Sequence, residues 1–136
     1  MRVLVTGGAG FIGSHLTERL LREGHDVRVY DNFSTGQRQF LEIAKADEKF
    51  ELIEADLLDE AKLDRSMKGV EFVWHLAANA DVRFGTDRPR RDLEQNTIVT
   101  SNVLESMRRN GVNRIAFSST GSIYGEADII PTPEDC

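Results

Sequence analysis

The residues best suited to chemistry stand near the start of the chain. Thr6-Gly7-Gly8-Ala9-Gly10-Phe11-Ile12-Gly13 follows a short apolar run and precedes a stretch with helical periodicity. It satisfies both Gly8-x-Gly10-x-x-Gly13 and the wider Gly7-x-x-Gly10-x-x-Gly13. Glycines so spaced permit a tight turn, let the backbone approach a pyrophosphate, and allow a helix to pack closely on a strand. The N-terminus of the helix that follows offers free N–H groups and the positive end of its dipole to phosphates. Asp31 comes 18 residues after Gly13 (31 − 13), near the spacing of about 20 expected of the acid that binds a dinucleotide's ribose. A carboxylate there accepts hydrogen bonds from the 2′- and 3′-hydroxyls and repels a 2′-phosphate, so NAD is favoured over NADP.

A scaffold must hold these groups, and the remaining sequence describes one. Strand-like runs at 2–6, 26–30, 50–54, 71–75 and 114–118 alternate with helical patterns near 11–23, 36–46, 59–68 and 89–110. In the first helix Ile12, Leu16 and Leu20 recur every four residues, as a helix covering a sheet requires. In the last, Leu93, Asn96, Thr97, Thr100, Leu104 and Met107 share one stripe. Pro89 suits its first turn and Asn110-Gly111 its end. Alternation of β and α over five strands predicts an α/β fold with a doubly wound parallel sheet of the Rossmann type. One domain, 1–136, is expected, with no repeat or linker.

Composition narrows the function. A formal charge of −6 argues against a general nucleic-acid or anionic-membrane binder. No run approaches the roughly 18 apolar residues of a membrane span. The single cysteine, Cys136, permits no intramolecular disulfide, and a reducing, cytoplasmic setting is expected. His15, His25 and His75 lie on separate elements without metal-ligand spacing, so no metal site is expected. Trp74, inside a strand run, is expected in the core, and Arg88, Arg90 and Arg91 at a solvated helix start.

Taken together, Thr6 to Leu16 and Asp31-Asn32-Phe33-Ser34-Thr35-Gly36 resemble the extended short-chain dehydrogenase/reductase family. Asp56-Leu57, His75-Leu76-Ala77-Ala78, Asn96 and Ser118-Ser119-Thr120-Gly121-Ser122-Ile123-Tyr124-Gly125 follow the same pattern in the same order. The match is best to its NAD-dependent epimerases and dehydratases, nearest the UDP-glucose 4-epimerase type, and it covers essentially the whole chain. The resemblance implies that the backbone at Phe11 and Ile12 holds the pyrophosphate and that Asp31 and Asn32 hold the adenosine ribose. It implies that Asp56 and Leu57 meet the adenine edge, where Asp56 is suited to accept from the exocyclic amine. Leu76, Ala77 and Ala78 are implied to let the cofactor lie close, and Ser118 to lie near the nicotinamide. Asn96, an amide on a largely apolar stripe, has two readings: contact with the cofactor, or satisfaction of nearby loop backbone.

For catalysis, the resemblance implies that Thr120 hydrogen-bonds the substrate hydroxyl being oxidised and helps relay its proton. Tyr124 has Asp at position 128 rather than a lysine four residues on, and is read as structural or pocket-lining. The family's Tyr-x-x-x-Lys pair, in which a cation lowers the tyrosine pKa, is expected beyond this chain, as is a substrate domain. The implied activity is that of a nucleotide-sugar 4-epimerase, with hydride removed from and returned to sugar C4. The alternatives are a non-catalytic dinucleotide-binding module, or part of a nucleotide-sugar 4,6-dehydratase or decarboxylase. Gly121-Ser122 after Thr120 argues against the last pair, which carry acids there. A homodimer or self-association is expected.

Overall fold

The computed structural model describes residues 1–79, 87–120, 125–126 and 129–134. The five expected strands form: β1 (Arg2–Thr6), β2 (Asp26–Asp31), β3 (Phe50–Glu54), β4 (Phe72–His75) and β5 (Ile115–Phe117). Around them lie α1 (Phe11–Arg22), α2 (Glu60–Met67), α3 (Pro89–Asp92) and α4 (Val99–Asn110). The strands make one parallel sheet in the order β3-β2-β1-β4-β5. Val3 of β1 stands opposite Val27 of β2 on one side and Phe72 of β4 on the other. The chain thus winds outward from β1 to β3, then returns to the far side of β1 for β4. Strand order reverses between β1 and β4, and at such a switch point the following loops diverge and leave a crevice.

Alternation along β1 assigns its side chains to two cores. Leu4 packs on one face with Tyr30 and Val73, beneath Leu63 and Met67 of α2 and Val99, Val103 and Met107 of α4. Val3 and Val5 pack on the other with Val27 and Val29, beneath Leu20 and Leu21 of α1. All of these are buried. Burial on both faces is the reason β1 and β4 read as continuous apolar runs, Val3-Leu4-Val5 and Phe72-Val73-Trp74. Trp74 packs against the second core, its ring 5.2 Å from that of Phe72. The α2 helix begins where the Asp59 side chain accepts from the N–H of Lys62, and α4 ends at Gly111, whose φ is 71°.

Two expectations about helices are corrected. The expected helix over 36–46 is instead a pair of 3₁₀ turns, Arg38–Leu41 and Ala44–Ala46. Its buried residues are only Leu41 and Ala44, with Ile43 exposed, too few to give the segment the apolar face that would hold a longer helix on the sheet. The start of the segment is also pinned, since the amide of Gln37 donates to the carbonyl of Ala9 at 2.9 Å. The helix expected over 89–110 does form, with Pro89 in its first turn, but its middle, Leu93–Ile98, is wound as a π-helix. Among the described residues, no helix is long and apolar enough to cross a membrane.

Candidate functional site

A cavity of about 350 Å³ opens where the loops leave the carboxyl ends of the strands. Its floor is the glycine turn between β1 and α1. Gly7 has a φ of 70°, and a Cβ there would lie 2.8 Å from the backbone nitrogen of Ala77. A Cβ on Gly13 would overlap the carbonyl oxygen of Gly7. Only glycine lets β1, α1 and the segment after β4 approach this closely. The N-cap of α1 is Gly10, no side chain caps the helix, and its first turn holds no acidic residue. The leading amides therefore face the cavity as donors suited to an anion.

The remaining walls come from each strand end in turn. Gly7, Gly10, Phe11, Ile12 and Gly13 line the cavity from the turn and the start of α1. Asp31 and Asn32 line it from β2, and Leu57 from the loop after β3. Leu76, Ala77 and Ala78 follow β4, and Ser118 follows β5. The Asp31 side chain is nearly buried, 8% exposed, and ties two loops together. One carboxylate oxygen accepts from the amide of Ala9 at 2.9 Å and the other from the amide of Phe33 at 2.8 Å. Each oxygen keeps a second acceptor direction, so the group can still take two hydroxyls.

Three predicted residues do not line the cavity. Asp56 stands one step behind it: Oδ1 accepts from the amide of Leu58 at 2.9 Å, and Oδ2 from the side-chain amide of Asn32 at 2.9 Å. Asn96 clasps the backbone of Asn79, accepting from its N–H at 2.7 Å and donating to its carbonyl at 3.3 Å. Of its two readings, satisfaction of loop backbone is the one this geometry supports. Thr120 is exposed, three residues past the end of β5 (120 − 117). Tyr124 lies outside the described residues.

A chain of buried polar groups supports the wall after β4, and sequence reasoning missed it. The Thr6 hydroxyl is within reach of the amides of Leu76 and Ala77, at 3.2 and 3.3 Å, and of His75 Nδ1 at 2.7 Å. The Thr100 hydroxyl spends its own proton on a backbone carbonyl, so the ring nitrogen facing it must be the donor, which leaves Nδ1 to accept from Thr6. Nε2 then carries the ring proton and donates to the Thr100 hydroxyl at 3.0 Å, which donates to the carbonyl of Asn96 at 2.6 Å. Burial pushes the pKa of His75 down to about 4, so the neutral ring this chain requires is the form present at neutral pH. Tyr30 lines the same cavity and donates to the carbonyl of Asp56 at 3.1 Å. Burial, with Asp59 and Asp56 nearby, pushes its pKa up to about 12, so it is no base. Among the described residues no group of three His, Cys, Asp or Glu side chains converges on a metal position.

A cleft at the β1/β4 switch point, floored by glycines and an uncapped helix and walled by a ribose-type acid, has the form of a dinucleotide site. The model of the NAD-dependent epimerase/dehydratase family matches residues 3–136. The chain belongs to this family. Within the family it is 43% identical over 135 residues to UDP-glucose 4-epimerase of Corynebacterium glutamicum, a match covering 99% of this chain and 40% of that enzyme. UDP-glucuronic acid decarboxylase 1 of Danio rerio is 40% identical over 134 residues, covering 98% of this chain and 31% of that one. The structure of UDP-glucose 4-epimerase from Thermus thermophilus in complex with NAD is similar with a TM-score of 0.82 at 39% identity, covering 98% of this chain and 44% of that one. The chain thus spans less than half the length of each of these relatives.

Proposed function

We propose that this chain binds NAD in the cavity described and serves an enzyme that inverts a nucleotide sugar at C4. The observation that carries the reading is Asp31, held by the amides of Ala9 and Phe33 at the rim of a glycine turn whose helix has no side-chain cap. The uncapped amides of α1 suit the pyrophosphate, Asp31 and Asn32 the ribose, and the apolar wall from Leu76 to Ala78 a flat ring. When bound, NAD supplies hydride acceptance and return at the sugar carbon. Thr120 is the proposed partner of the substrate hydroxyl, and Ser118 the neighbour of the nicotinamide. Neither Tyr30 nor Tyr124 is followed four residues on by lysine. For these 136 residues alone the proposal is therefore cofactor binding, with 1–136 as the N-terminal part of the cofactor domain. A reducing, cytoplasmic setting and self-association complete the reading.

The decarboxylase relative supports a second reading, since the same cavity would serve NAD-dependent chemistry on UDP-glucuronate. Gly121-Ser122 in place of acids after Thr120 favours the epimerase. Calorimetric titration of the chain with NAD and with NADP tests the cofactor reading. Binding of NAD with NADP at least tenfold weaker is expected from the charge of Asp31 against a 2′-phosphate. Binding of neither by a folded chain, or equal binding of both, overturns it. Turnover of UDP-glucose against UDP-glucuronate by the full-length enzyme decides between the two reactions.

A further inference from the structure

One hydroxyl gives the buried chain behind the cavity its direction. Thr100 stands on α4 and donates to the carbonyl of Asn96, in the π-helical turn, at 2.6 Å. Its proton is thus spent, and toward His75 Nε2, 3.0 Å away, it can only accept. A neutral imidazole carries one proton, so with Nε2 protonated Nδ1 is bare and accepts from the Thr6 hydroxyl at 2.7 Å. Thr6 then keeps two lone pairs, and two wall amides reach them, Leu76 at 3.2 Å and Ala77 at 3.3 Å. Donors and acceptors balance only in this direction.

Loss of that hydroxyl would reverse the chain. His75 is fully buried, so its ring N–H needs a protein acceptor. Without Thr100 it finds none at Nε2, but at Nδ1 the Thr6 oxygen can accept it. That oxygen would then face three N–H groups with two lone pairs, and one wall amide would go unbonded. The wall has little room to adjust, because the glycine turn packs so close that a Cβ on Gly7 would lie 2.8 Å from the Ala77 nitrogen. We propose that Thr100 is a positioning residue for the cofactor: through the tautomer of His75 and the hydroxyl of Thr6, it fixes the backbone of Leu76 and Ala77 against which NAD lies. The inference rests on the NAD reading above and extends it to a residue that stands behind the cavity wall.

The test pairs NMR of the His75 ring nitrogens with calorimetric titration of NAD, on wild type, Thr100→Val and Thr100→Ser. A protonated ring nitrogen and a bare one differ widely in chemical shift, and the His75 signals are those missing from His75→Asn. Wild type at pH 7 should show the Nε2–H tautomer. Thr100→Val keeps the shape of the side chain and removes the hydroxyl. It should move the proton wholly or partly to Nδ1 and weaken NAD binding by roughly three- to tenfold, the worth of one hydrogen bond. Thr100→Ser returns the hydroxyl and should restore both. Thermal melts check that each variant is folded, and Thr100→Cys, a far weaker acceptor, carries the same expectation if Thr100→Val does not fold. An Nδ1–H ring in wild type, or an unmoved proton in Thr100→Val, overturns the inference. A moved proton with NAD affinity unchanged overturns it as well. If folded wild type shows the Nε2–H ring but binds no NAD, the NAD reading fails and this inference falls with it.

Discussion

His75 links the chemistry of single groups to the shape of the cavity. Its ring is fully buried, with one nitrogen on Thr6 and the other on Thr100, and burial pushes its pKa from 6.5 to about 4. The unfolded chain titrates near the higher value. Between the two, the unfolded state binds a proton that the folded state refuses, so stability declines as pH falls through that window and stops declining below it. The full effect is roughly 3 kcal/mol at most. Urea unfolding of wild type and His75→Asn at pH 7 and pH 5, above most carboxylate titration, should show a wild-type loss that the variant lacks. Equal losses in both would mean that another group carries the pH dependence. Little of this was readable beforehand, because Thr6 and His75 bond across 69 positions of sequence. The place of Asp31 at the cavity wall was readable, since it follows from a spacing from the glycines that the sequence displays.

The glycine turn is the element that local sequence specifies best, because the geometry it must adopt admits one residue type at set positions. Gly7 combines a φ of 70° with a prospective Cβ contact of 2.8 Å to Ala77, whereas Gly10 has a φ of −79° and a nearest contact of 3.3 Å. Gly7→Ala should cost at least about 2 kcal/mol of stability, through left-handed strain and displacement of the wall after β4. Gly10→Ala should cost visibly less. Thermal melts of the two variants check the order, and a Gly10→Ala loss equal to or larger than that of Gly7→Ala would contradict it. The segment over 36–46 shows where local reading fails. Its apolar residues suggested a helix, but with Gln37 tied to Ala9 and only Leu41 and Ala44 buried it forms 3₁₀ turns. The π-turn was equally illegible. There the Thr100 hydroxyl, held by His75, bonds the Asn96 carbonyl, and Asn96 is drawn to the loop after β4. These are tertiary demands that override helical periodicity.

Among the described residues the sheet has two outer strands, and they are protected unequally. At β3, Glu51 pairs with Arg28 at 2.7 Å and Glu54 with Arg38 at 2.5 Å. Charges along an edge discourage a second strand from pairing there. The β5 strand is Ile115-Ala116-Phe117, with no charge of its own. Phe117 stacks one side on His75, with centroids 5.6 Å apart, yet remains 56% exposed. A short, uncharged outer strand ending in an exposed aromatic ring is a site where two copies can join and bury apolar surface. The expected outcome is self-association of the 136-residue chain, seen in sedimentation velocity as a weight-average mass that rises with concentration. Salt should strengthen it, because the net charge of −6 on each copy opposes contact and is screened by ions. Phe117→Lys, which guards the edge as Glu51 and Glu54 guard the other, should shift the chain toward monomer. A wild-type chain that sediments as a monomer at every concentration would refute the idea. Association that persists undiminished in Phe117→Lys would move the contact elsewhere, to the exposed Leu93 and Leu104 of the long helical run.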